Sequence, residues 1–188
     1  MKKGLLIVLS GPSGVGKGTV LKRFIDNKEL NLALSISMTT RSMRKGEQEG
    51  VNYYYVSVDQ FKQAIENGEL LEYAEFVGNY YGTPLFEVER LRNEGKNVIL
   101  EIEVQGAQQV KSKCDDAISI FIIPPSMQEL EQRIRGRSTE SDEVIKARLE
   151  KAHKEMDLIE QYRYIVCNDD PELAAQLISV IIKRSMKQ

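Results

Sequence analysis

Five short apolar runs are the most regular feature of this 188-residue chain. Four of them are nearly continuous in hydrophobicity, which is typical of strands that are covered on both faces. Helical patterns lie between the runs, and strands that alternate with helices predict a parallel sheet. The predicted strands are LLIVL (5–9), LALSIS (32–37), NVILEIEV (97–104), AISIFII (117–123) and YRYIVCN (162–168).

Three helices are predicted from their apolar spacing and their end signals. The first follows a glycine-rich loop. The second begins at Pro84 and is closed by Gly95, and the third has Asp170 as its N-cap and Pro171 as its first residue. The predicted apolar stripes are Val20, Leu21, Phe24 and Ile25 in the first helix, Leu85, Val88 and Leu91 in the second, and Leu173, Leu177 and Ile181 in the third.

Residues 37–90 do not follow the alternation of strand and helix. They combine alternating strand patterns with a short helical pattern at 59–67. Gly78-Asn79 lies between two such patterns and is a two-residue hairpin signal. We therefore expect a small, mixed and mostly antiparallel insert.

Residues 126–160 form a second interruption, which is predicted to be a helical lid. Ser126 and Glu129 have the spacing of a capping box at the start of one helix, and a polar loop is expected at 135–139. A long helix follows, with Ile145, Leu149, Ala152, Met156 and Ile159 on one face.

The predicted fold is therefore α/β. Its core is a five-stranded parallel sheet with helices on both faces, built from residues 1–36, 91–125 and 161–188. The insert at 37–90 and the lid at 126–160 flank this core. A chain of this length suits one compact domain.

The amino-acid composition limits the binding partners and the cellular compartment that we expect for this protein. The chain has 26 basic and 28 acidic residues and a net charge of -2, which argues against a nucleic-acid surface. Cys114 and Cys167 show no CxxC spacing, so reduced thiols and a reducing compartment are expected. No signal peptide or membrane span is predicted. We expect a cytoplasmic protein without membrane or nucleic-acid partners, as a monomer or a small homo-oligomer.

The stretch LSGPSGVGKGT, residues 9–19, carries the pattern G-x-x-x-x-G-K from Gly11 to Lys17. It follows a buried-type strand and leads into an amphipathic helix, which is the context that a phosphate-binding loop requires. Glycines let backbone N–H groups face phosphate oxygens, and Lys17 adds a positive charge. The structural alternative is a tight glycine turn beside a surface lysine. The predicted ATP contacts in the loop are Gly11, Pro12, Ser13, Gly14, Val15, Gly16, Lys17, Gly18 and Thr19.

Gly18 stands where many such loops carry a Ser or Thr that binds Mg²⁺. The hydroxyl is displaced by one residue, to Thr19. The sequence leaves open whether Thr19 meets the metal through water or donates to a phosphate oxygen.

Arg41 and Arg44 are candidates for a second phosphate site, because two guanidinium groups can hold a dianionic phosphate. The residues alone are equally compatible with a solvated surface at this position. Glu101 and Glu103 lie near the end of a buried-type strand, where ligands bind in open parallel sheets.

Five markers in order resemble the guanylate kinase family over essentially the whole chain: GPSGVGKGT, TTR-x-x-R-x-GE, GNYYGT, IEVQGA and GR-x-TE. The resemblance implies transfer of the ATP γ-phosphate to GMP, and to dGMP, giving ADP and GDP with Mg²⁺ as cofactor. Many members carry Asp at the positions of Glu101 and Glu103.

The resemblance also implies the roles of individual residues. GMP would contact Ser37, Arg41, Arg44, Glu47, Tyr53, Glu72, Tyr81, Thr83 and Glu103. Arg133, Arg137 and Asn168 would join the loop in binding ATP, although a backbone or capping role for Asn168 stays open. Lys17, Arg41, Arg137 and Arg148 would be catalytic, and Thr19 and Glu101 would hold Mg²⁺ through water.

Two other functions stay open. Another nucleoside monophosphate kinase would keep the loop and the lid, but the carboxylate-rich insert argues against it. A non-catalytic guanylate-kinase-like module that binds proteins would typically lose the phosphate loop, whereas Gly11, Gly14, Gly16 and Lys17 are intact.

Overall fold

Strands and helices alternate along most of the computed structural model, which describes residues 2–76, 78–137 and 141–187. The strands are β1 (Leu6–Ser10), β2 (Leu32–Leu34), β3 (Met38–Thr39), β4 (Tyr54–Tyr55), β5 (Leu70–Phe76), β6 (Asn79–Pro84), β7 (Asn97–Glu101), β8 (Ile118–Ile123) and β9 (Tyr164–Cys167). The α-helices are α1 (Lys17–Leu21), α2 (Val58–Glu66), α3 (Leu85–Asn93), α4 (Val104–Lys113), α5 (Met127–Arg137), α6 (Asp142–Met156) and α7 (Pro171–Ser185).

The core is a five-stranded sheet in the order β2-β7-β1-β8-β9. Every neighbouring pair in it is parallel, which confirms the predicted sheet. Three strands are shorter than the apolar runs predicted. β2 ends at Leu34, and β9 covers only Tyr164–Cys167. β7 ends at Glu101, and Glu103 is the N-cap of α4, a helix that was not predicted as a separate element.

The position of β1 at the centre of the sheet explains why the sequence LLIVL is apolar throughout. Ile7 and Leu9 pack in one core cluster with α1, α5, α6 and α7, whereas Leu6 and Val8 pack in a second cluster with α3 and α4. Successive side chains of a strand point to opposite faces, so a strand covered on both sides has no polar face. The sheet therefore carries helices on both faces, as predicted.

Helix α7 begins as predicted but buries a different face. Asp170 accepts hydrogen bonds from the backbone N–H groups of Glu172 and Leu173, which fixes the first turn. Leu173 and Leu177 are 60% and 55% exposed, so their predicted burial was wrong. The buried face carries Ala174, Ala175, Ile178 and Ile182. The helix is apolar on two sides, so spacing alone could not select the side that faces the sheet.

The insert contains a second, four-stranded sheet in the order β4-β3-β6-β5. β3 is parallel to β4, whereas both pairs that involve β6 are antiparallel, so the sheet is mixed as predicted. The β5–β6 hairpin pairs Phe76 with Asn79. Asn79 therefore belongs to β6 and not, as predicted for the Gly78-Asn79 pair, to the turn, whereas Gly78, with φ 71°, has the left-handed conformation of a turn residue.

The insert is attached to the core along β5. The Gln109 side chain accepts from the backbone N–H of Tyr73 at 3.1 Å and donates to its carbonyl at 2.9 Å. Lys113 donates to the carbonyl of Leu70 at 2.9 Å. Helix α4 thus satisfies backbone groups at the edge of β5 and fixes the insert beside the end of β7. The predicted insert boundary at residue 90 falls within α3, whose Val88 packs in the core.

The lid differs from expectation at several points. Residues 135–137 belong to α5, so this part of the predicted polar loop is helical, and the rest of it, residues 138–139, lies outside the described residues. Only half of the expected capping box forms: the Ser126 hydroxyl accepts from the backbone N–H of Glu129. The predicted apolar face of α6 is confirmed from Ile145 to Met156, since Ile145 and Ala152 are buried in the core. Ile159, which was predicted to continue this face, lies beyond the helix in a short 3-10 turn. None of the helices described in this chain has the length and apolar character needed to cross a membrane.

We predict that Asn97→Ala destabilises the fold. The Asn97 side chain is buried, accepts from the backbone N–H of Leu5 at 2.9 Å and donates to the carbonyl of Leu30 at 2.7 Å. Its loss leaves buried backbone groups unpaired, which costs about 1–3 kcal/mol. Urea denaturation measures the change. The control Asn93→Ala, in the exposed last turn of α3, should shift stability by less than about 0.5 kcal/mol. Equal effects would contradict this role.

Candidate active site

The glycine loop leaves the central strand β1 and enters α1 directly, since Lys17 is the first residue of the helix. Gly14 and Gly16 have φ values of 86° and 95°, which side-chain-bearing residues rarely adopt. A Cβ on Gly16 would also lie 2.7 Å from Nδ2 of Asn168. Both constraints explain why the turn requires glycine at this position.

Lys17 lies folded over this loop. Its ammonium group donates to the carbonyls of Gly11 at 2.6 Å and Pro12 at 3.3 Å. Burial lowers the pKa of Lys17, while the nearby carboxylates of Glu101, Glu155 and Glu103 act in the opposite direction. The amine is therefore a partly desolvated donor surrounded by carboxylates.

A cavity of about 490 Å³ opens in front of the loop, and we call it the donor cavity. Ser13, Gly14, Gly16, Lys17, Gly18 and Thr19 line one side, whereas Gly11, Pro12 and Val15 are buried. Residues 101–103 line the other side. The structure thus brings most of the predicted loop contacts to one surface.

Gly18 and Glu101 are close neighbours. A Cβ at residue 18 would lie 3.3 Å from Oε1 of Glu101, which is tighter than an ordinary contact. Thr19 lines the same cavity as the Glu101 carboxylate. Within the described ranges, no cluster of three or more His, Cys, Asp or Glu residues has the arrangement of a metal site. One carboxylate and one hydroxyl still fit Mg²⁺, which keeps several waters and also binds substrate phosphates.

Asn168 and Arg133 support the loop from behind. Asn168 is 2% exposed, and its side-chain amide donates to the carbonyl of Val15 at 2.7 Å. Arg133 donates to the carbonyl of Asn168 at 3.0 Å and to that of Val15 at 3.5 Å. These contacts favour the backbone role that the sequence left open for Asn168. Binding of ATP by either residue remains a prediction.

A second cavity of about 330 Å³, here called the acceptor cavity, lies between the insert and the core. Ser37, Glu72 and Tyr81 line it from the insert. Its other wall includes Glu101, Ile102 and Glu103, which also line the donor cavity. The two cavities are therefore adjacent at the carboxyl end of β7.

Arg41 is held in place by a network around Glu47. The two carboxylate oxygens of Glu47 accept from the Arg41 guanidinium at 2.8 and 3.1 Å. Glu47 also accepts from the Tyr55 hydroxyl at 2.7 Å and from the backbone N–H of Arg44 at 2.8 Å. The hydrogen bonds of Arg41, Arg44 and Tyr55 lower the pKa of Glu47 to about 2, so it is ionised at neutral pH.

Arg41 also lies beside the predicted tyrosines. Its guanidinium is 5.4 Å from the ring centroid of Tyr53 and interacts with Tyr81. The hydrogen bond to Glu47 is the main cause of the raised pKa of Arg41. Arg44 is exposed beside this group. The structure thus brings together the residues predicted to hold the acceptor phosphate, and Glu47 fixes the orientation of the Arg41 guanidinium among them.

Glu72 and Thr83 form a buried pair at the back of the acceptor cavity. The Thr83 hydroxyl donates to Oε1 of Glu72 at 2.6 Å. Burial raises the pKa of Glu72, although Thr83 and the charge of Lys113 partly oppose the effect. A Cβ on Gly106 would lie 2.6 Å from Oε2 of Glu72, so glycine there admits the carboxylate. Thr83 therefore contacts Glu72, whereas Ser37 lines the cavity itself.

The lid helix α6 contacts both cavities. Arg148 donates to the Ser13 hydroxyl at 3.0 Å, beside the glycine loop. Lys151 lies in the acceptor cavity and donates to Oε2 of Glu103 at 2.7 Å. The side chain of Arg137, predicted to be catalytic, lies outside the described residues.

Sequence reasoning missed three residues of this site: Tyr55, Gly106 and Lys151. Tyr55 follows Tyr53 by two residues, and this spacing places both side chains on one face of a strand. Gly106 lies within the IEVQGA marker, but its contact with Glu72 depends on tertiary packing. For Lys151 there was no local signal, because a lysine on a charged helix is usually solvated.

Comparison with known proteins agrees with this arrangement. The family profile described as guanylate kinase matches residues 3–185. A guanylate kinase of Mesoplasma florum is 56% identical over 182 residues, which are 97% of this chain and 61% of the relative. This chain thus spans less than two thirds of that relative. A guanylate kinase of Lactococcus lactis is 54% identical over 97% of this chain and 88% of its own length.

A solved structure shares the architecture. The guanylate kinase of Anaplasma phagocytophilum matches with a TM-score of 0.74 and 36% identity, over 100% of this chain and 89% of that one. The profile match and the identities of the relatives cover the core, the insert and the lid alike. With its phosphate loop and its carboxylate-lined insert, this chain belongs to the guanylate kinase family.

Proposed function

We propose that this protein transfers the γ-phosphate of ATP to GMP and to dGMP, giving ADP and GDP or dGDP. The observation that carries the proposal is the pair of adjacent cavities that share Glu101, Ile102 and Glu103. One is bordered by the glycine loop. The other is lined by carboxylates of the insert and by Tyr81, which interacts with Arg41. Such a pair suits two nucleotides whose phosphates meet above the carboxyl end of β7.

The acceptor oxygen belongs to a phosphate and is already anionic, so the reaction needs no general base. The difficulty is to bring two polyanions together, and catalysis then rests on positioning and charge neutralisation. In this proposal Arg41 and Arg44 bind the GMP phosphate, aided by the hydroxyls of Tyr53 and Tyr81. The bidentate contact with Glu47 preorganises Arg41.

On the donor side, backbone N–H groups of the glycine loop and Lys17 bind the ATP phosphates. Arg148, which contacts Ser13, adds charge from the lid, and Arg137 is proposed to do the same. Arg133 and Asn168 are proposed to support the ATP site through the loop backbone. Lys17, Arg41, Arg137 and Arg148 are thus the proposed catalytic residues.

Thr19 and Glu101 would hold Mg²⁺, directly or through water. When bound, the metal neutralises charge on the donor phosphates. The proximity of Gly18 to Glu101 supports this assignment, because the absent side chain leaves room for a carboxylate at the start of α1.

Guanine presents N1–H and N2–H₂ donors and an O6 acceptor. Glu72 and Glu103 supply carboxylate acceptors for the donors, and the Ser37 hydroxyl suits O6. Thr83 is proposed to act on the base through Glu72, to which it donates.

A cytoplasmic location is also proposed, in keeping with Cys114 and Cys167 as free thiols.

The choice of acceptor nucleotide tests the proposed function directly. Purified protein with Mg-ATP should form ADP rapidly with GMP and dGMP, and at least about 100-fold more slowly with AMP, UMP or CMP, because these bases lack the guanine donor pattern. A coupled ADP assay measures this panel. No GMP-dependent ADP formation would refute the proposal, and equal turnover of AMP would refute the roles of Glu72 and Glu103.

Lys17→Ala should lower kcat by about 100-fold or more, because it removes a charge from the reacting phosphates. The same assay gives kcat, and circular dichroism checks the fold. Lys28→Ala, in an exposed turn after α1, is the matched control and should retain wild-type turnover. A protein-binding module would not depend on Lys17, so unchanged kcat in Lys17→Ala would contradict the enzymatic role of the loop.

The pH dependence of GMP use should report Glu72. Because burial raises its pKa above the ordinary 4.5, Glu72 takes up a proton at a higher pH than an exposed glutamate and loses its ability to accept from guanine. Glu72→Gln should raise KM for GMP strongly at neutral pH, and the ratio of mutant to wild-type KM should shrink as pH falls towards about 5.

The ratio isolates Glu72, because the phosphate of GMP titrates identically with both proteins. The raised pKa of Glu72 also makes the stability of the fold depend on pH. The folded state keeps the proton to a higher pH than the unfolded chain, so the contribution of Glu72 to stability falls as pH rises above about 4.5. A KM ratio that does not vary with pH would contradict the raised pKa.

A further inference from the structure

The acceptor cavity has an uneven charge distribution. Among the described residues that line it, the carboxylates are Glu72, Glu75, Glu101 and Glu103, and the cation is Lys151. Arg41 and Arg44 approach the site from the insert but do not line this cavity. A dianionic acceptor that enters a space lined by carboxylates meets repulsion, which a nearby positive charge offsets.

Lys151 reaches the cavity from an unexpected element. It belongs to α6 of the lid, yet its ammonium group donates to Oε2 of Glu103 at 2.7 Å, at the end of the core strand β7. On its own helix, Lys151 lies 3.9 Å from Oε1 of Glu155, one turn further on. Lys151 therefore extends into the acceptor cavity from the same helix whose Arg148 contacts the glycine loop.

The geometry leaves Glu103 able to serve a ligand at the same time. A carboxylate has two oxygens and accepts several hydrogen bonds, so the contact of Oε2 with Lys151 leaves Oε1 available to a base. Partial burial acts to lower the pKa of Lys151, but the hydrogen bond and charge of Glu103, together with the charge of Glu155, raise it above its usual value. The lysine is therefore charged at neutral pH.

We propose that Lys151 is a positioning residue of the acceptor site, which orients the Glu103 carboxylate towards the guanine edge of the nucleotide. The inference rests on the proposed function, since it assigns a further determinant of base specificity to the same site. Because Lys151 is carried by the lid, it also links the position of α6 to the recognition of the base. Arg148 of the same helix contacts Ser13, so α6 connects both nucleotide sites.

The contribution of this pair to folding is small. The side chains of Lys151 and Glu103 are 52% and 54% exposed, and ion pairs of this kind add little to stability. Substitution of Lys151 should therefore leave the fold intact, and its effect should fall on ligand binding.

The test compares Lys151→Met with Lys154→Met, which removes an exposed lysine from the same helix. Lys151→Met should raise KM for GMP, and the Kd of GMP alone by calorimetry, by about three- to tenfold. KM for ATP should stay within about twofold. Lys154→Met should leave both substrates unchanged, and Lys151→Arg should restore most of the GMP affinity.

Two further measurements separate orientation of Glu103 from a general charge effect. The preference for GMP over IMP, which lacks the 2-amino group, should fall in Lys151→Met. In a double-mutant cycle, Lys151→Met should add little to Glu103→Gln, because the lysine acts through that carboxylate. Full additivity, an unchanged preference over IMP, or a rise in KM for ATP equal to that for GMP would each overturn the proposal.

Failure of the inference is distinguishable from failure of the proposed function. If the wild-type protein forms no ADP with GMP, the proposed function is wrong and the inference falls with it. If the wild-type protein is active and Lys151→Met behaves like Lys154→Met, only the role of Lys151 is wrong.

Discussion

The tight turn from β1 into α1 is the constraint on which the site depends. The backbone must reverse direction within a few residues and keep N–H groups directed outwards for phosphates. Gly14 and Gly16 meet the conformational requirement with positive φ. Support from below is equally necessary: Val15 is buried in the core, and its carbonyl accepts from Asn168. The loop is therefore anchored to the core at Val15, while Gly14 and Gly16 line the donor cavity.

The second requirement of the site is that its charged side chains are held in fixed orientations. A site for two polyanions needs positively charged side chains. A long cationic side chain without a fixed partner would take many orientations. Glu47 solves this for Arg41 by bidentate hydrogen bonding, and the low pKa of Glu47 keeps the pair ionised. Its partner Tyr55 belongs to the same network. Preorganised charges need little rearrangement when the substrate arrives, which is the condition for electrostatic catalysis.

Residues 101–103 connect the three parts of the molecule. They run from the last residue of β7, the neighbour of β1 in the core sheet, to the N-cap of α4, and they border both cavities. The insert reaches them because Gln109 and Lys113 of α4 hold the edge of β5. The lid reaches them through Lys151. A movement of either flanking part therefore alters the surroundings of the same short segment.

The sequence by itself determined the α/β class, the parallel sheet, the mixed insert and the position of the phosphate loop, because each depends on local apolar periodicity or on a contiguous motif. It also placed Arg41 and Glu72 on the insert through the resemblance to guanylate kinases. Only the tertiary structure decided which face of α7 is buried, that residues 135–137 are helical, and that Gly106, Tyr55 and Lys151 belong to the site. The buried face of α7 and the places of Gly106 and Lys151 in the site arise from contacts between segments far apart in the chain, and such contacts leave no periodic trace in the residues that make them.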